Sequence, residues 1–382
     1  MKNSIEIDGC TGLEAQSFGT RDAFRRERRI TLHLRDIDPL KRLTPQEGCC
    51  ALKPARIRFL GAVASALVLG FAAAARAQLS SELVSHFNRS VILSVDATTV
   101  LAGDSGFQGG SFSSSRSGVN TDLNVSKFGG SGDLGDPRPL GLLGIEWQPR
   151  LQGSIGYLTY KNDFNTAPLA GDENKYTTTA VDFGGGARFW FNDHLSLAPT
   201  VSGIYGHTEN SYTAVGSLSQ NNYAAADQAG LINWGLDTWT IVPAAELSYQ
   251  WMWRRVTFTA SSTFSYFHTE DFNNSSSILK INGNSETWVN KVDVDVPIGV
   301  TLLNREVHVG GYYSWTGFYG DLREGFSESQ LEVKYVNEIH GRVVLDCLNK
   351  LWKVKWLGVG GSYFCGDHFT GWSIGADAAF KF

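Results

Sequence analysis

From residue 89 to the carboxy terminus, apolar residues keep returning at every second position, and helical spacing is nearly absent. A chain with this period is confined to sheet architectures, because successive strand side chains point to opposite faces. Within Val256 to His268, the residues Val256, Phe258, Ala260, Phe264 and Tyr266 share one face with Ser262. Thr257, Thr259, Ser261, Thr263 and Ser265 take the other face. Within Trp288 to Val296, Val292 and Val294 oppose Lys291, Asp293 and Asp295.

This period predicts strands at 89–101, 139–148, 151–161, 176–191, 195–208, 234–250, 254–268, 287–302, 305–317, 329–345, 352–365 and 371–382. Their connections alternate. "QP", "NDH", "WMW", "LN" and "DCLNKL" are short, whereas 102–138, 162–175, 209–233, 269–286 and 318–328 are long. Short turns at one end and long loops at the other are the layout of bacterial outer-membrane barrels. The expected fold is therefore all-β: a closed antiparallel transmembrane β-barrel of about 12 strands, of the outer-membrane type. In lipid no strand edge can stay unpaired, so the strand near residue 89 is expected to pair with the last. Pro199, Pro243 and Pro297 each remove a ladder donor, which predicts a bulge or shifted boundary at each.

A soluble β-sandwich would alternate too, but it has no need of tryptophan at both strand ends. Here Trp147, Trp190, Trp251, Trp253, Trp352 and Trp356 fall near the short turns, and Trp234, Trp239, Trp288, Trp315 and Trp372 near the long loops. Two belts at these heights match the two bilayer interfaces, where an indole is half buried with its N–H hydrated.

Residues 55 to 78, "ARIRFLGAVASALVLGFAAAARAQ", carry Arg56 and Arg58, an apolar run from Phe59 to Ala75, and an A-x-A site at Ala75 to Ala77. This is the pattern of a secretory signal, 55–77, cleaved before Gln78, with export across the cell envelope to the outer membrane as its consequence. Residues 1–54 read as a start-site artefact or a disordered extension, 78–88 as a short lead-in, and 89–382 as the barrel. Residues 1–77 hold 13 Lys and Arg against 8 Asp and Glu, which leaves 20 against 30 beyond the cleavage site. An acidic mature chain lacks the basic stripe that nucleic acid requires.

The final "GWSIGADAAFKF", with Trp372, Ile374, Phe380 and Phe382 on one face, resembles the signal by which the barrel-assembly machinery recognises its clients. The last two strands, "WLGVGGSYFCGDHFTGWSIGADAAF", resemble the end of the solitary autotransporter-like outer-membrane barrels. That resemblance implies a twelve-stranded domain akin to an autotransporter translocator but without a passenger, working among outer-membrane lipid and lipopolysaccharide. It also implies that a helix before the barrel could plug the pore, for which Leu79 to Phe87 is available.

Catalytic candidates are few. His194 and Ser196 fall on one strand face, as in outer-membrane phospholipases, but at the periplasmic end and facing inward. His268, Glu270 and Asp271, like Asp367 and His368, sit at the outer rim without distinctive spacing. No cofactor motif, metal-ligand spacing or nucleophile elbow is present in the sequence, and no enzyme activity is expected. "GGGAR" at 184–188 reads as room for close packing. Cys347 and Cys365 are expected at opposite ends of the wall, beyond disulfide reach. Lys291, Asp293, Asp295, Lys353, Lys355, Asp377 and Lys381 are expected to face the lumen, where mixed signs favour ion pairs over an open pore. A structural or surface barrel is the leading expectation. A passive channel for small solutes and an outer-membrane lipid or peptide hydrolase are the alternatives.

Overall fold

The computed structural model describes residues 81–100, 106–116, 119–141, 144–165, 169–276, 278–328, 333–347, 354–366 and 369–380. The signal segment and the extension before it lie outside them, as do Trp352, Lys353, Lys381 and Phe382.

The strands run in chain order as β1 (Gly106–Arg116), β2 (Val119–Asp133), the two-residue β3 (Arg138–Pro139), β4 (Glu146–Phe164), β5 (Glu173–Trp190) and β6 (Leu195–Thr213). They continue with β7 (Gly235–Trp253), β8 (Val256–Asn274), β9 (Asn282–Leu302), β10 (Arg305–Tyr319), β11 (Tyr335–Asp346), β12 (Val354–Gly366) and β13 (Phe369–Phe380). Among the described residues three helices accompany them: α1 (Ser81–Val100), α2 (Ser217–Gln228) and α3 (Gly320–Glu328). Neighbouring strands pair antiparallel throughout, β1 joins β13, and β2 joins β4, which closes the sheet. Among the described residues the wall is thus twelve long strands, with β3 a short flap beside β4.

The register fixes the cylinder's dimensions. The pairing followed once around the wall leaves β6 at Leu195 and returns at Glu209, a stagger of 14 residues. With strand spacings of about 4.8 Å and a rise of about 3.3 Å per residue, this stagger tilts the strands by roughly 39° and gives a backbone radius of about 12 Å. Once wall side chains are allowed for, such a bore has room for about one α-helix.

One helix is there, where a strand was expected. Residues 89–100 of the expected first strand do not begin the wall; they belong to α1, and β1, not the segment near residue 89, seals the barrel against β13. The expected loop 102–138 contains β1 and β2, while 146–148, the end of the expected strand 139–148, and 151–161 form one strand, β4, running through Pro149. The strand total of twelve survived because these errors offset one another. The alternation of connections holds from β4 to β11. At the seam, however, β1–β2 and β12–β13 are joined by two-residue connections at the long-loop end.

Of the three prolines, only Pro297 sits at a register shift, between Glu306 and His308 of the partner strand, with Gly299 at φ +73° beside it. A left-handed residue in the extra stretch is what glycine permits. Pro199 and Pro243 keep the register on one side and drop rungs on the other. No described helix is long and apolar enough to cross a membrane, a statement that does not bear on strands.

Candidate functional site: the plugged lumen

Helix α1 carries Val91, Ile92 and Leu93 in succession, followed by Val95 and Ala97, all at most 2 % exposed. Ser90, Ser94, Asp96 and Thr98 are buried with them, so the helix is enclosed on every side, and a helix that presents apolar residues in succession is stable only when surrounded, here by the barrel wall. The wall residues it meets are inverted relative to a lipid-facing strand. On β2, Thr121, Leu123 and Val125 point inward and are buried, while Asn120, Asp122 and Asn124 point outward. Leu158, Tyr160, Tyr176, Ala180 and Ile204 continue the same inward apolar lining.

Small wall residues let the helix approach. A Cβ placed on Gly206 would come within 3.1 Å of a Val95 methyl and 2.7 Å of Thr238 Oγ1. Ser94 Oγ accepts from Thr178 Oγ1 at 2.9 Å, and Thr178 meets Thr208 at 3.0 Å, so the helix's hydroxyl is used by the wall.

At the long-loop end α1 is capped twice. Asn88 donates to the Lys280 carbonyl at 2.8 Å, and Arg89 pairs with Glu324 and, at 3.9 Å, with Asp321 of α3. Helix α3 folds back over α1, burying Leu322 and Phe326, whose ring stands 4.9 Å from Phe318. Leu231, Ile232, Trp234, Leu279 and Ile281 join the same cluster from the loops. Asp172 fastens two of those loops together: it accepts from Tyr212 Oη at 2.8 Å and from the amides of Val215 and Gly216 at 2.7 and 2.8 Å.

Towards the short-turn end the lumen changes from apolar to charged. Arg150 and Arg188 share Asp133 and Glu246: Arg150 lies 3.2 and 3.7 Å from them, Arg188 3.1 and 3.0 Å. Arg342 grips Asp293 with two parallel bonds of 2.7 and 2.8 Å and lies 3.9 Å from Asp295, which also meets His308 at 2.6 Å. Lys291 sits over the Tyr312 ring at 4.6 Å, and that ring stacks on His340 at 4.6 Å. Fork-to-carboxylate pairs of this kind lock geometry as well as charge.

Lys291, Asp293, Asp295, Lys355 and Asp377 therefore stand on the lumen side, interleaved with Arg150, Arg188, Glu246, His340 and Arg342. The latter set carried the same signal, since Arg342 and His340 share strand parity with the buried Val336 and Val344. Lys353 and Lys381 lie outside the described residues.

Strand parity also revises the aromatic belts. Trp147, Trp239, Trp251, Trp253, Trp288, Trp315 and Trp372 share their strand faces with the exposed apolar residues of the outer wall. Trp190, Trp234 and Trp356 do not. Trp234 is buried beside Tyr176, Trp190 lies under the Arg188 guanidinium, and Trp356 takes Arg342 and Lys355 on its ring. A ring at interface height that faces the lumen serves as a cation platform instead of a lipid anchor. In the terminal signal, Trp372 and Ile374 face outward, Phe380 pairs with Val354 along the backbone, and Phe382 lies outside the described residues.

The candidate hydrolase pairs weighed from the sequence, His194 with Ser196 and the Asp–His pair of Asp271 and His268 at the outer rim, do not meet among the described residues. His194 Nδ1 faces the Gln250 carbonyl at 2.9 Å, whereas Ser196 accepts from Arg188. His268 meets Glu270 at 3.1 Å, and Asp271 accepts from the Ile281 amide. One arrangement escaped sequence reasoning: Ser362 Oγ lies 2.8 Å from His340 Nδ1, and His340 Nε2 lies 3.1 Å from Asp377. Its layout resembles a nucleophile relay, but Ser362 donates its proton to Glu338 at 2.5 Å. Together with Gln108, which donates to Asp377 at 3.4 Å, the group ties β1, β11, β12 and β13 across the seam. Cys347 lies just past the short-turn end of β11 and Cys365 one residue from the opposite end of β12; both are free thiols.

A family profile described as the solitary outer membrane autotransporter β-barrel domain matches residues 143–375, well over half of the chain. No curated protein matches. Among solved structures, the β domain of the Bordetella autotransporter BrkA is similar at 14 % identity and a TM-score of 0.42, covering 72 % of this chain and 99 % of that one. The transport unit of AIDA-I from Escherichia coli gives 10 %, 0.46, 78 % and 99 % for the same quantities. The translocator domain of NalP from Neisseria meningitidis gives 9 %, 0.42, 75 % and 93 %.

Proposed function

The chain belongs to the solitary outer membrane autotransporter β-barrel domain family, and from that membership we propose that it is an outer-membrane barrel held shut by its own helix, structural or surface-presenting in role and without catalytic activity. The observation that carries this reading is the burial of Val91, Ile92, Leu93 and Val95 inside the bore, with α3 folded over them. A porin-like role needs a continuous water path, and the apolar half of the lumen interrupts it.

On this reading the long-loop end faces outward and the short turns face the periplasm. Helix α1 then enters the bore from outside, since its residues 88 and 89 bind the outer loop and α3. The outer face accordingly presents α2, α3 and the amino-terminal end of α1. The cleaved signal, insertion by the assembly machinery and a surrounding of lipid and lipopolysaccharide belong to the same proposal.

Planar-bilayer recording of the purified protein tests it. A baseline without discrete steps is expected. Steady ohmic openings in the intact protein would replace this reading with the passive-channel alternative.

A further inference from the structure

Among the buried residues of α1 one is an acid: Asp96, with no solvent exposure. It follows Val95 in the chain and stands one turn beyond Ile92, inside the stretch that fills the bore. Thr269 of β8 donates to it at 3.5 Å, and Ser285 of β9 donates as well, from a position three residues on the long-loop side of Trp288. Asp96 therefore stands in the outer mouth of the bore, beyond the Trp288 indole. Ser285 also accepts the Leu322 amide of α3 at 3.1 Å, so helix, wall and covering helix meet at one carboxyl.

The groups that act on this carboxyl are hydroxyls and a second acid. From the wall come Thr269, itself bonded to Thr240 of β7 at 2.8 Å, and Ser285. From α3 comes Asp321, fixed in place because it accepts the Asn284 amide at 2.7 Å. Arg89, the cation of α1, stands two turns away, about 10 Å along the axis, and is engaged by Glu324 and Asp321. Asp271, further along β8, is turned to the Ile281 amide at 2.6 Å. Enclosure pushes the Asp96 carboxyl up to about 7, with the Asp321 charge adding to it and the two hydroxyls opposing.

We propose that the barrel is a proton-gated conduit: α1 stays seated while Asp96 holds its proton, and ionisation of Asp96 against Asp321 releases the helix so that ions pass along the bore. The proposal rests on the plugged-barrel reading above. Its sign follows from where the proton is held. Released into the outer medium, Asp96 regains the ordinary carboxyl value of about 4. Seated, it keeps its proton until about pH 7. Seating is therefore strongest below about pH 4, weakens about tenfold per unit as pH rises to about 7, and is level above that. Towards the short turns the lumen is already lined by the charged pairs of Arg150, Arg188, Asp133 and Glu246, so the stretch filled by α1 is the barrier that must clear.

Planar-bilayer recordings of the intact protein in potassium chloride, taken from about pH 4.5 to about pH 8.5, test the gate. At the acid end the flat baseline expected above should hold. Brief openings should appear as pH rises, become about tenfold more frequent per unit, and level off above about pH 7. Asp96→Asn keeps the shape without the charge, and its openings should be equally rare at every pH. Asp96→Thr, suited to a site lined by hydroxyls, gives the same reading should the amide variant misfold, and the gel shift on boiling identifies folded protein for each. A wild-type protein silent across the whole range would overturn the gate while leaving the plug in place. An unchanged pH dependence in folded Asp96→Asn or Asp96→Thr protein would assign the effect to other groups, the lumen histidines first, and overturn it too. Steady conduction at every pH would remove the plug reading itself, and the gate with it.

Discussion

Replacing Leu93 and Val95 together by asparagine should convert a silent barrel into a conducting one. Val91, Ile92, Leu93 and Val95 are essentially without solvent exposure. At ~1.5–3 kcal/mol for each fully buried aliphatic side chain, these four hold α1 in the bore by about 8 kcal/mol. At 1.4 kcal/mol per factor of ten, an empty bore is then populated about once in a million. The two substitutions remove about half of that burial and add roughly 1–3 kcal/mol for each amide enclosed among apolar groups. Helix retention and release come close to balance, and the bore should open for a measurable fraction of the time. Planar-bilayer recordings of wild type and variant, both confirmed as folded by gel mobility, make the comparison. Identical silent traces would show that α1 is not what closes the lumen. The reasoning would fail equally if the wild-type protein conducted as readily as the variant.

Gly206→Val should crowd Val95 and Thr238 and lower stability by about 1–3 kcal/mol, seen as a lower temperature for the gel mobility shift; an unchanged temperature would mean that α1 does not touch β6 as described. Asp172→Ala removes three hydrogen bonds from a buried carboxylate and should expose residues 214–217 to protease while the barrel core survives; equal digestion of variant and wild type would count against this loop clasp. Non-reducing mass spectrometry should find Cys347 and Cys365 unbridged, and a bridge between them would contradict the placement of β11 and β12. Deleting Phe382 should reduce membrane yield more than it alters conductance, and normal yield would argue against the terminal assembly signal.

The strands from β5 to β10 were legible because their outer face meets lipid and their inner face meets water or ions, so hydrophobicity alternates as the backbone does. Around α1 that contrast reverses. Gly106–Arg116 and Val119–Asp133 put Phe112 inward against Phe364, and Leu123 and Val125 inward towards the helix, and leave serine and asparagine outside, so they read as a loop. The helix itself is rich in β-branched residues, Val91, Val95, Thr98 and Val100 among them, and its local preference favoured strand until enclosure overrode it. Tryptophan height was readable from connection lengths. Tryptophan facing required the register, which is why Trp190 and Trp356 were placed in the lipid belt when they serve arginines inside. The lumen charges of β9 followed from alternation, and so could have Arg342 of β11 and His308 of β10, but which charge pairs with which across the strands required the register.

The seam has a mechanical meaning. Between β1 and β13 the register runs only from Phe107↔Ala376 to Ser113↔Thr370, whereas β4 and β5 are paired from Glu146↔Trp190 to Asp163↔Glu173. A cylinder fractures where its wall is joined over the shortest length, so amide exchange should spread first along β1 and β13, with the Gln108–Asp377–His340 tie acting as the crack-stopper. Loss of order in this molecule would then start as one lengthwise split beside the helix that fills it, not as fraying of its many long hairpins.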